Sequence, residues 1–345
     1  MQERISPKHI SRIKIAGTLL TLAGVALFAY FIYSVGIHDL VESISRFGVV
    51  GFAVILLIFF VRIIVRASAW NLSVYEPYSL NLRDTIPAVI IGEATSSVIP
   101  LGFVVSGTSK AIAVRHRVPM VVGLSSVATE NLFYSLLTSI FLILGAVAFL
   151  RNTPLDDGWV FTIDVLIGLI ILLIVLMLLL VVRQWHFASE ICASLYKRGY
   201  FTGILENGRM DVRLFENLIY GFYRRHPKRF LPICLLEALY HALGIVEVFY
   251  IISRLSDTMP SLMTAFLLES VSRLVTIVFK LIPLTIGVDE AGAQFVGDTV
   301  ALAVGVGVTL AVIRKGRILF WTAIGFLFIL KRGLSLREIS GSAKD

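Results

Sequence analysis

Charged residues and cysteines are scarce in this sequence. Only 16% of its 345 residues are Asp, Glu, Lys or Arg, whereas a soluble domain carries about 25%. The 57% of hydrophobic residues also excludes a disordered or fibrous chain. The two cysteines, Cys192 and Cys234, form neither a disulfide framework nor a zinc-binding spacing. This composition predicts an all-α, polytopic membrane protein.

Signatures of familiar enzyme sites are absent as well. The sequence has no P-loop, no Rossmann fingerprint and no His-Glu-x-x-His motif. The longest polar stretch, at 184–228, is too short for an ordinary catalytic domain. The net charge of +8 in a membrane protein reports topology rather than nucleic-acid binding. We therefore expect no cofactor, no metal, no nucleic-acid partner and no enzymatic activity.

Apolar segments long enough to cross a bilayer recur along the chain. A helix needs about 20 apolar residues for this, and six segments qualify clearly, followed by two less regular blocks. The six segments are 15–35, 48–70, 118–149, 160–182, 230–252 and 261–282, and the two blocks are 284–313 and 317–330. We therefore predict about eight transmembrane helices, the first of them uncleaved.

The distribution of Lys and Arg predicts the orientation. The segment 183–229 carries nine basic residues against four acidic ones, and basic residues also precede the first span and follow the last. Loops assigned to the opposite side, such as 253–260, have a single basic residue. Because basic loops remain in the cytoplasm, both termini and the segment 183–229 are predicted on the cytoplasmic side of a bacterial inner membrane.

We expect one membrane domain over residues 1–345, built from two halves. The first half covers about 12–182, the second covers 230–332, and a short cytoplasmic tail covers 333–345. The linker between the halves, 183–229, has apolar residues at four-residue steps among charged neighbours: Met210, Leu214, Leu218 and Phe222. This pattern predicts amphipathic helices that lie on the anionic inner leaflet.

The apolar segment 86–107 is not typical of a lipid-exposed helix. It contains Glu93, Pro100 and three glycines, and backbone groups freed by such residues find no water in lipid. Basic residues flank it, with Arg83 before it and Lys110 after it. Because both flanks belong on the cytoplasmic side, we predict a re-entrant segment that enters and leaves the membrane on one face.

A second segment, 283–297, has the same character. It begins at Pro283 and contains the adjacent acids Asp289 and Glu290. Glu290 lies seven residues after Pro283, and in the first segment Glu93 lies seven residues before its proline. Two interrupted segments at corresponding places in two halves indicate a transporter-type site near the membrane midplane, compatible with an inverted repeat.

Ionisable side chains also stand inside the predicted spans, where each charge costs about 2.5–3.5 kcal/mol. The set comprises Arg62, Arg66, Glu130, Glu237, His241, Glu247, Glu269, Arg273, Lys280, Arg314, Lys315 and Arg317. Because lipid could not hold these groups separately, the bundle is expected to enclose a polar cavity. Its mixture of acids and arginines suits an anionic or zwitterionic head group.

Individual members of this set also have purely structural interpretations. Glu269 and Arg273 are four residues apart and could neutralise each other. Arg62 could extend toward the membrane interface. His241 beside Glu237 is more typical of a structural hydrogen bond than of a proton relay. The basic cluster in the last apolar region could mark a short loop.

Five sequence blocks resemble a known membrane family. They are GEATSSVIP (92–100), SGTSKAIAVRHRVP (106–119), SVATENLF (126–133), LLESVSRLVTIVFKLIPLTIGVDEAG (267–292) and VIRKGRILFWTAIG (312–325). In this order they are similar to the lysylphosphatidylglycerol synthase transmembrane-region, or flippase-like, family. The similarity is greatest to its free-standing members, including those linked to hopanoid lipids.

The resemblance implies a helical bundle with re-entrant segments that moves lipid between leaflets. The residues on the family's recurrent polar or proline positions are Glu93, Pro100, Lys110, Glu130, Glu269, Pro283, Glu290 and Arg314. The sequence departs from the family at Ser96 and Ser97, where Asn is frequent, and at 105–108, where a Gly-Gly-Asp run is frequent. The aminoacyl-transferase domain of the full synthases is missing, so aminoacylation is not implied.

Three hypotheses of function follow. The leading one is a lipid transporter that binds the head group among Glu93, Glu130, Glu269, Arg273, Glu290 and Arg314. The predicted translocation site also includes Pro100, Lys110, Pro283 and Asp289, and the secondary candidates are Arg62, Arg66, Glu237 and His241. The alternative is a non-transporting accessory protein, with a homo-oligomer or lipid-biosynthesis enzymes as partners. A membrane-embedded enzyme using Asp289 and Glu290 ranks lowest, because adjacent residues of a helix point about 100° apart.

Overall fold

The computed structural model describes residues 29–30, 33, 36–98, 102–153, 156–184, 186–198, 202–256, 259–279, 282–300, 302–303 and 305–331. Within these residues the chain forms eleven α-helices and two short 3-10 turns, with no β-strand. The all-α prediction is confirmed. Most of the predicted first span, 15–35, lies outside the described residues, as do Pro100, Lys280 and the predicted tail.

The first half contains five helices. They are α1 (Ile37–Leu72), α2 (Leu82–Val98), α3 (Gly102–Ala113), α4 (Met120–Asn152) and α5 (Asp157–Arg183). In lipid the backbone must satisfy its hydrogen bonds within the segment, which favours helices throughout such apolar sequence. The outward side chains of α5 are apolar and exposed, including Leu169, Leu172 and Leu173, as expected of a helix that faces lipid.

Six helices follow. They are α6 (Phe187–Lys197), α7 (Thr202–Arg225), α8 (Phe230–Leu255), α9 (Leu262–Val278), α10 (Val288–Thr299) and α11 (Val306–Lys331), with 3-10 turns at Pro227–Arg229 and Pro283–Thr285. Ser261 caps the start of α9 by accepting a hydrogen bond from the Thr264 backbone N–H at 3.0 Å.

The described helices include four that are long and apolar enough to cross a membrane: Leu40–Leu72, Met120–Asn152, Asp157–Val181 and Pro227–Leu255. These correspond to four of the predicted spans. Helix α9 has 17 residues and α10 has 12, so each is shorter than the roughly 20 residues that a full crossing needs. The count of eight crossings stays a prediction.

The last apolar region divides differently from the prediction. Helix α10 ends at Thr299, and α11 runs unbroken from Val306 through the basic cluster. The alternative that this cluster marks a short loop is therefore wrong, and so is the division into blocks 284–313 and 317–330. Each of the three basic side chains forms an ion pair with a carboxylate of another helix. Because this pairing offsets the free-energy cost of a charge at membrane depth, the helix can continue through the cluster.

Both interrupted segments take part in helical hairpins. Helices α2 and α3 pack against each other, with Gly92 of α2 against the side chains of Ser106 and Lys110 of α3. Helices α9 and α10 pack in the same way, with Gly292 against Val275. In each pair the second helix returns along the first. The first segment, 86–107, therefore turns back between α2 and α3, whereas the second, 283–297, supplies only the turn and the second arm, α10. The first arm is α9, so the prediction of 261–282 as a separate span does not fit this hairpin.

The helices of the two halves correspond in length and packing. Helices α2 and α9 both have 17 residues, and α3 and α10 both have 12. Helix α2 of the first half packs on α11 of the second half. In the same way α9, the counterpart of α2, packs on α4 of the first half, the counterpart of α11. Helices α1 and α8 lie antiparallel: the Phe47 and Tyr250 rings are 6.2 Å apart near one end, and Arg229 donates to the Leu72 carbonyl at the other.

The apolar core consists of two main clusters, and each contains residues from a different part of α1. One cluster includes Phe59 and Trp70 of α1 and packs against α2, α3 and α4. The other includes Phe47 and Ile55 of α1 and packs against α8, α9, α10 and α11. Helix α1 therefore contributes to the core of both halves.

The predicted amphipathic linker helices are present as α6 and α7. The Glu216 carboxylate of α7 accepts from the Ala188 backbone N–H at the start of α6, at 2.9 Å. Phe222 is buried against Phe133 and Phe230 of the bundle, while Met210 remains exposed. The last turns of α7 are thus anchored to the bundle, and their contact with the leaflet stays a prediction.

Close packing of α10 on α11 depends on Gly307. A methyl group there would overlap the carbonyl oxygen of Ala293. We expect Gly307→Ala to destabilise the protein by about 1–3 kcal/mol, as overpacking does, measured as a lower unfolding temperature in detergent. Gly168→Ala is the matched control, since a methyl group on the lipid-facing side of α5 has no neighbour within 4 Å. Equal stability of both variants would contradict this packing.

Candidate functional site

A polar cavity of about 160 Å³ lies where the two hairpins meet. The α2–α3 hairpin contributes Glu93, Ser96 and Ser97, and the turn between α9 and α10 contributes Leu284 and Thr285. The remaining wall comes from α1, α8, α9, α10 and α11, and includes Arg62, Tyr240, Ser272, Arg273, Asp289, Arg314 and Arg317. The structure thus brings both interrupted segments to one site.

Arginine side chains predominate at the cavity wall. Four of them line it, together with two acidic side chains, Glu93 and Asp289, and the carboxylates of Glu247 and Glu269 lie behind the arginines, within 3.6 Å of them. The planar guanidinium group matches carboxylate and phosphate oxygens in two-pronged hydrogen bonds. An anionic group is therefore the ligand that this wall suits best.

Glu269 holds three of these arginines in place. Its side chain is 0% exposed and accepts from Arg273 at 2.7 Å and from Arg314 at 2.8 Å. Arg62 Nη2 lies 3.6 Å from the same carboxylate. The predicted Glu269–Arg273 pair is present, but it is one part of a network that joins α1, α9 and α11.

Glu247 anchors the other side of this network. It accepts from Arg62 Nη1 at 2.8 Å and from Arg317. Arg62 is 1% exposed, and its guanidinium lies 4.4 Å from the centre of the Tyr240 ring. The alternative that Arg62 extends toward the interface is therefore wrong, because its charge is compensated inside the bundle.

A second network surrounds Glu130 in the first half. Arg66 Nε donates to Glu130 at 2.9 Å, and Arg66 Nη1 donates to Glu93 at 3.3 Å. Lys110 Nζ lies 3.8 Å from Glu130, and the Arg66 guanidinium lies 4.3 Å from the centre of the Tyr134 ring. Glu93 therefore joins this network to the cavity, whereas Glu130 and Lys110 lie behind the wall.

The adjacent acids of α10 have different partners. Asp289 accepts a hydrogen bond from Ser272 Oγ at 2.7 Å, and that oxygen accepts from Arg314 at 3.0 Å. Glu290 accepts from the Gly287 backbone N–H at 2.8 Å and lies 2.6 Å from Lys315 Nζ. Glu290 thus caps α10 and lies outside the residues that line the cavity, whereas Asp289 is part of the wall.

The predicted contact between Glu237 and His241 does not form. His241 lies 3.1 Å from the Thr138 hydroxyl, and its ring stacks 4.8 Å from Phe141. The hydrogen-bond partner of His241 is therefore on α4 and is not Glu237 of its own helix. Both buried carboxylate oxygens of Glu237 lack a hydrogen-bond partner among the residues that the structure describes.

Comparison with known proteins establishes the family. A family model described as the lysylphosphatidylglycerol synthase TM region matches residues 14–330. The chain belongs to this family. No curated protein and no solved structure matches the chain. The resemblance inferred from the sequence blocks is confirmed at the family level, and the hopanoid-linked subtype stays a prediction.

Several wall residues of this family member were missed as candidates from the sequence, among them Tyr240, Ser272 and Arg317. Arg317 was noted in the basic cluster without a role in the site. Ser272 could have been found, since it lies three residues after Glu269 and hence on the same helix face. Tyr240 carries no such signal, because its place in the wall depends on the packing of α8 against α1.

Removal of the Glu269 carboxylate should be severely destabilising. Glu269→Ala leaves buried arginines without their shared partner, and breaking a buried ion pair costs about 3–5 kcal/mol. Thermal unfolding in detergent measures this loss, with Glu190→Ala on the exposed face of α6 as the control. A loss no greater than that of the control would show that the network does not hold the helices together.

Proposed function

We propose that this protein moves an anionic membrane lipid between leaflets, with the lipid head group held in the polar cavity. The observation that supports this most strongly is the excess of arginine at the wall of a cavity shared by two broken segments. Phosphate is the anion common to membrane lipid head groups, and arginine is the side chain best suited to bind it. Membership of a family named for a lipid synthase supports a lipid ligand.

The arrangement of the helices supports transport. We propose that the two halves form an inverted repeat, because α1 and α8 pack antiparallel and the hairpins α2–α3 and α9–α10 correspond in length. In transporters with inverted repeats, the substrate site lies between the repeats and one repeat rocks against the other. On this proposal the cavity lies near the midplane of a bacterial inner membrane, with both termini cytoplasmic.

Catalysis is less well supported than transport. An enzyme on lipid-linked substrates would need Asp289 and Glu290 to act on one reacting atom. Asp289 is engaged by Ser272, and Glu290 is engaged by the Gly287 N–H and Lys315. Because the two acids face different partners, we keep the proposal of a protein without enzymatic activity.

The second candidate is an accessory protein that binds lipid without moving it. The pairing of four arginines with Glu269 and Glu247 favours it, since such a network can hold a rigid scaffold. A homo-oligomer or a complex with lipid-biosynthesis enzymes would then be the functional form. A measurement of lipid movement between leaflets distinguishes the two candidates, because only the transporter moves lipid.

A fluorescent phosphatidylglycerol labelled on its head group tests the proposal in proteoliposomes. We expect the wild-type protein to expose the inner-leaflet label to an external quencher faster than protein-free vesicles do. Arg273→Gln should slow this by about tenfold or more, since a hydrogen bond to a charged group contributes about 1.5–3 kcal/mol and 1.4 kcal/mol is tenfold.

Arg254→Gln is the matched control, because Arg254 is exposed at the end of α8 and lies outside the cavity wall. The unfolding temperature of each variant shows whether it is folded. A wild-type rate equal to that of empty vesicles, with stable binding of the labelled lipid, would contradict transport and favour the accessory protein.

A further inference from the structure

A second, apolar cavity of about 650 Å³ lies between helices α4, α5, α9 and α10. Its wall includes Phe149, Trp159, Leu274 and Phe295, and no ionisable side chain is among the described residues that line it. Its two hydroxyl groups are used within their own helices: Thr162 donates to the Gly158 carbonyl, and Ser270 donates to the Phe266 carbonyl, both at 2.8 Å. The lining therefore suits a hydrocarbon ligand.

The α9–α10 hairpin separates this cavity from the polar one. Helix α9 turns Ser272, Arg273 and Thr276 to the polar cavity, and Val271 and Val275 to the apolar cavity. The opposite faces of one hairpin thus border sites of opposite chemistry. A ligand that fills both must itself have a charged part and an apolar part.

The turn of this hairpin borders both cavities. Phe279 lines the apolar cavity, and Leu284 and Thr285 line the polar one. Leu284 and Thr285 have φ values of 56° and 47°, which lie in a region that residues with side chains rarely adopt. Such strained backbone is found at binding and switch sites, where the surroundings hold it in place.

We propose that the apolar cavity holds an acyl chain of the lipid whose head group occupies the polar cavity, so that the lipid lies astride the turn of the α9–α10 hairpin. This inference rests on the proposed function, and it defines the ligand as a whole lipid rather than a soluble anion. The outer wall is α5, and four apolar residues of the lining are also exposed at the surface of the protein: Trp159, Val278, Phe279 and Phe295. An acyl chain can therefore enter from the bilayer without crossing a polar region.

Photolabelling tests the position of the acyl chain. The probe is a trace of phosphatidylglycerol with a diazirine near the end of one acyl chain, in phosphatidylcholine vesicles that contain the wild-type protein. We expect label on the α4, α9 and α10 residues that line the cavity, above the level on the exposed face of α5. Peptide mass spectrometry locates the label.

Two variants fill the cavity from opposite walls. Ala146→Trp fills it from α4, and Thr162→Trp fills it from the outer helix α5 without altering the buried core. In both variants the amount of label on α9 and α10 should fall to the amount found on the exposed face of α5. Leu144→Trp is the control, because Leu144 is 57% exposed on α4 and lies outside the cavity wall.

The outcomes separate this inference from the proposed function. Uniform label over the lipid-facing surface, no label in the cavity of the wild-type protein, or retention of the cavity label in both filling variants would overturn the inference. An unlabelled wild-type cavity would mean that another part of the chain or a second copy covers it. Cavity labelling without lipid movement in the vesicle assay would overturn transport and leave the acyl-chain site standing.

Discussion

The stability of the structure depends on ion pairs between side chains at membrane depth, where water does not solvate a charged group. Glu247 and Glu269 are both buried and together bind arginines from α1, α9 and α11. An isolated buried charge is far more costly than a paired one, so these helices must approach each other for the chain to be stable. The same pairing leaves arginine side chains at the wall of a cavity.

Helix α1 connects the two charge networks. Its Arg62 pairs with acids of the second half, and its Arg66 pairs with Glu93 and Glu130 of the first. Movement of one half against the other would alter the partners of these two arginines, which lie one turn apart. A negatively charged head group in the cavity would compete with the acids for the arginines and thus favour such movement.

Much of the fold, but less of the site, could be predicted from the sequence. The uninterrupted apolar runs predicted α1, α4, α5 and α8, and the prolines and glycines predicted the α2–α3 hairpin and a break at 283–297. That α9 is the first arm of a second hairpin was not predicted. The partners of the charges could not be predicted, because Arg62 and Glu247 are 185 residues apart and their contact depends on the packing of α1 against α8. For the same reason the continuity of α11 through its basic cluster, and the contact of His241 with Thr138, were found only in the structure.

The central claim is that the arginine wall selects an anionic head group, and native mass spectrometry of the purified protein tests it most directly. The protein is equilibrated with equal amounts of phosphatidylglycerol and phosphatidylcholine in detergent. We expect predominantly phosphatidylglycerol adducts on the wild-type protein and on Arg254→Gln, and their loss in Arg273→Gln. Equal adducts of both lipids on the wild-type protein, unchanged in Arg273→Gln, would contradict the account.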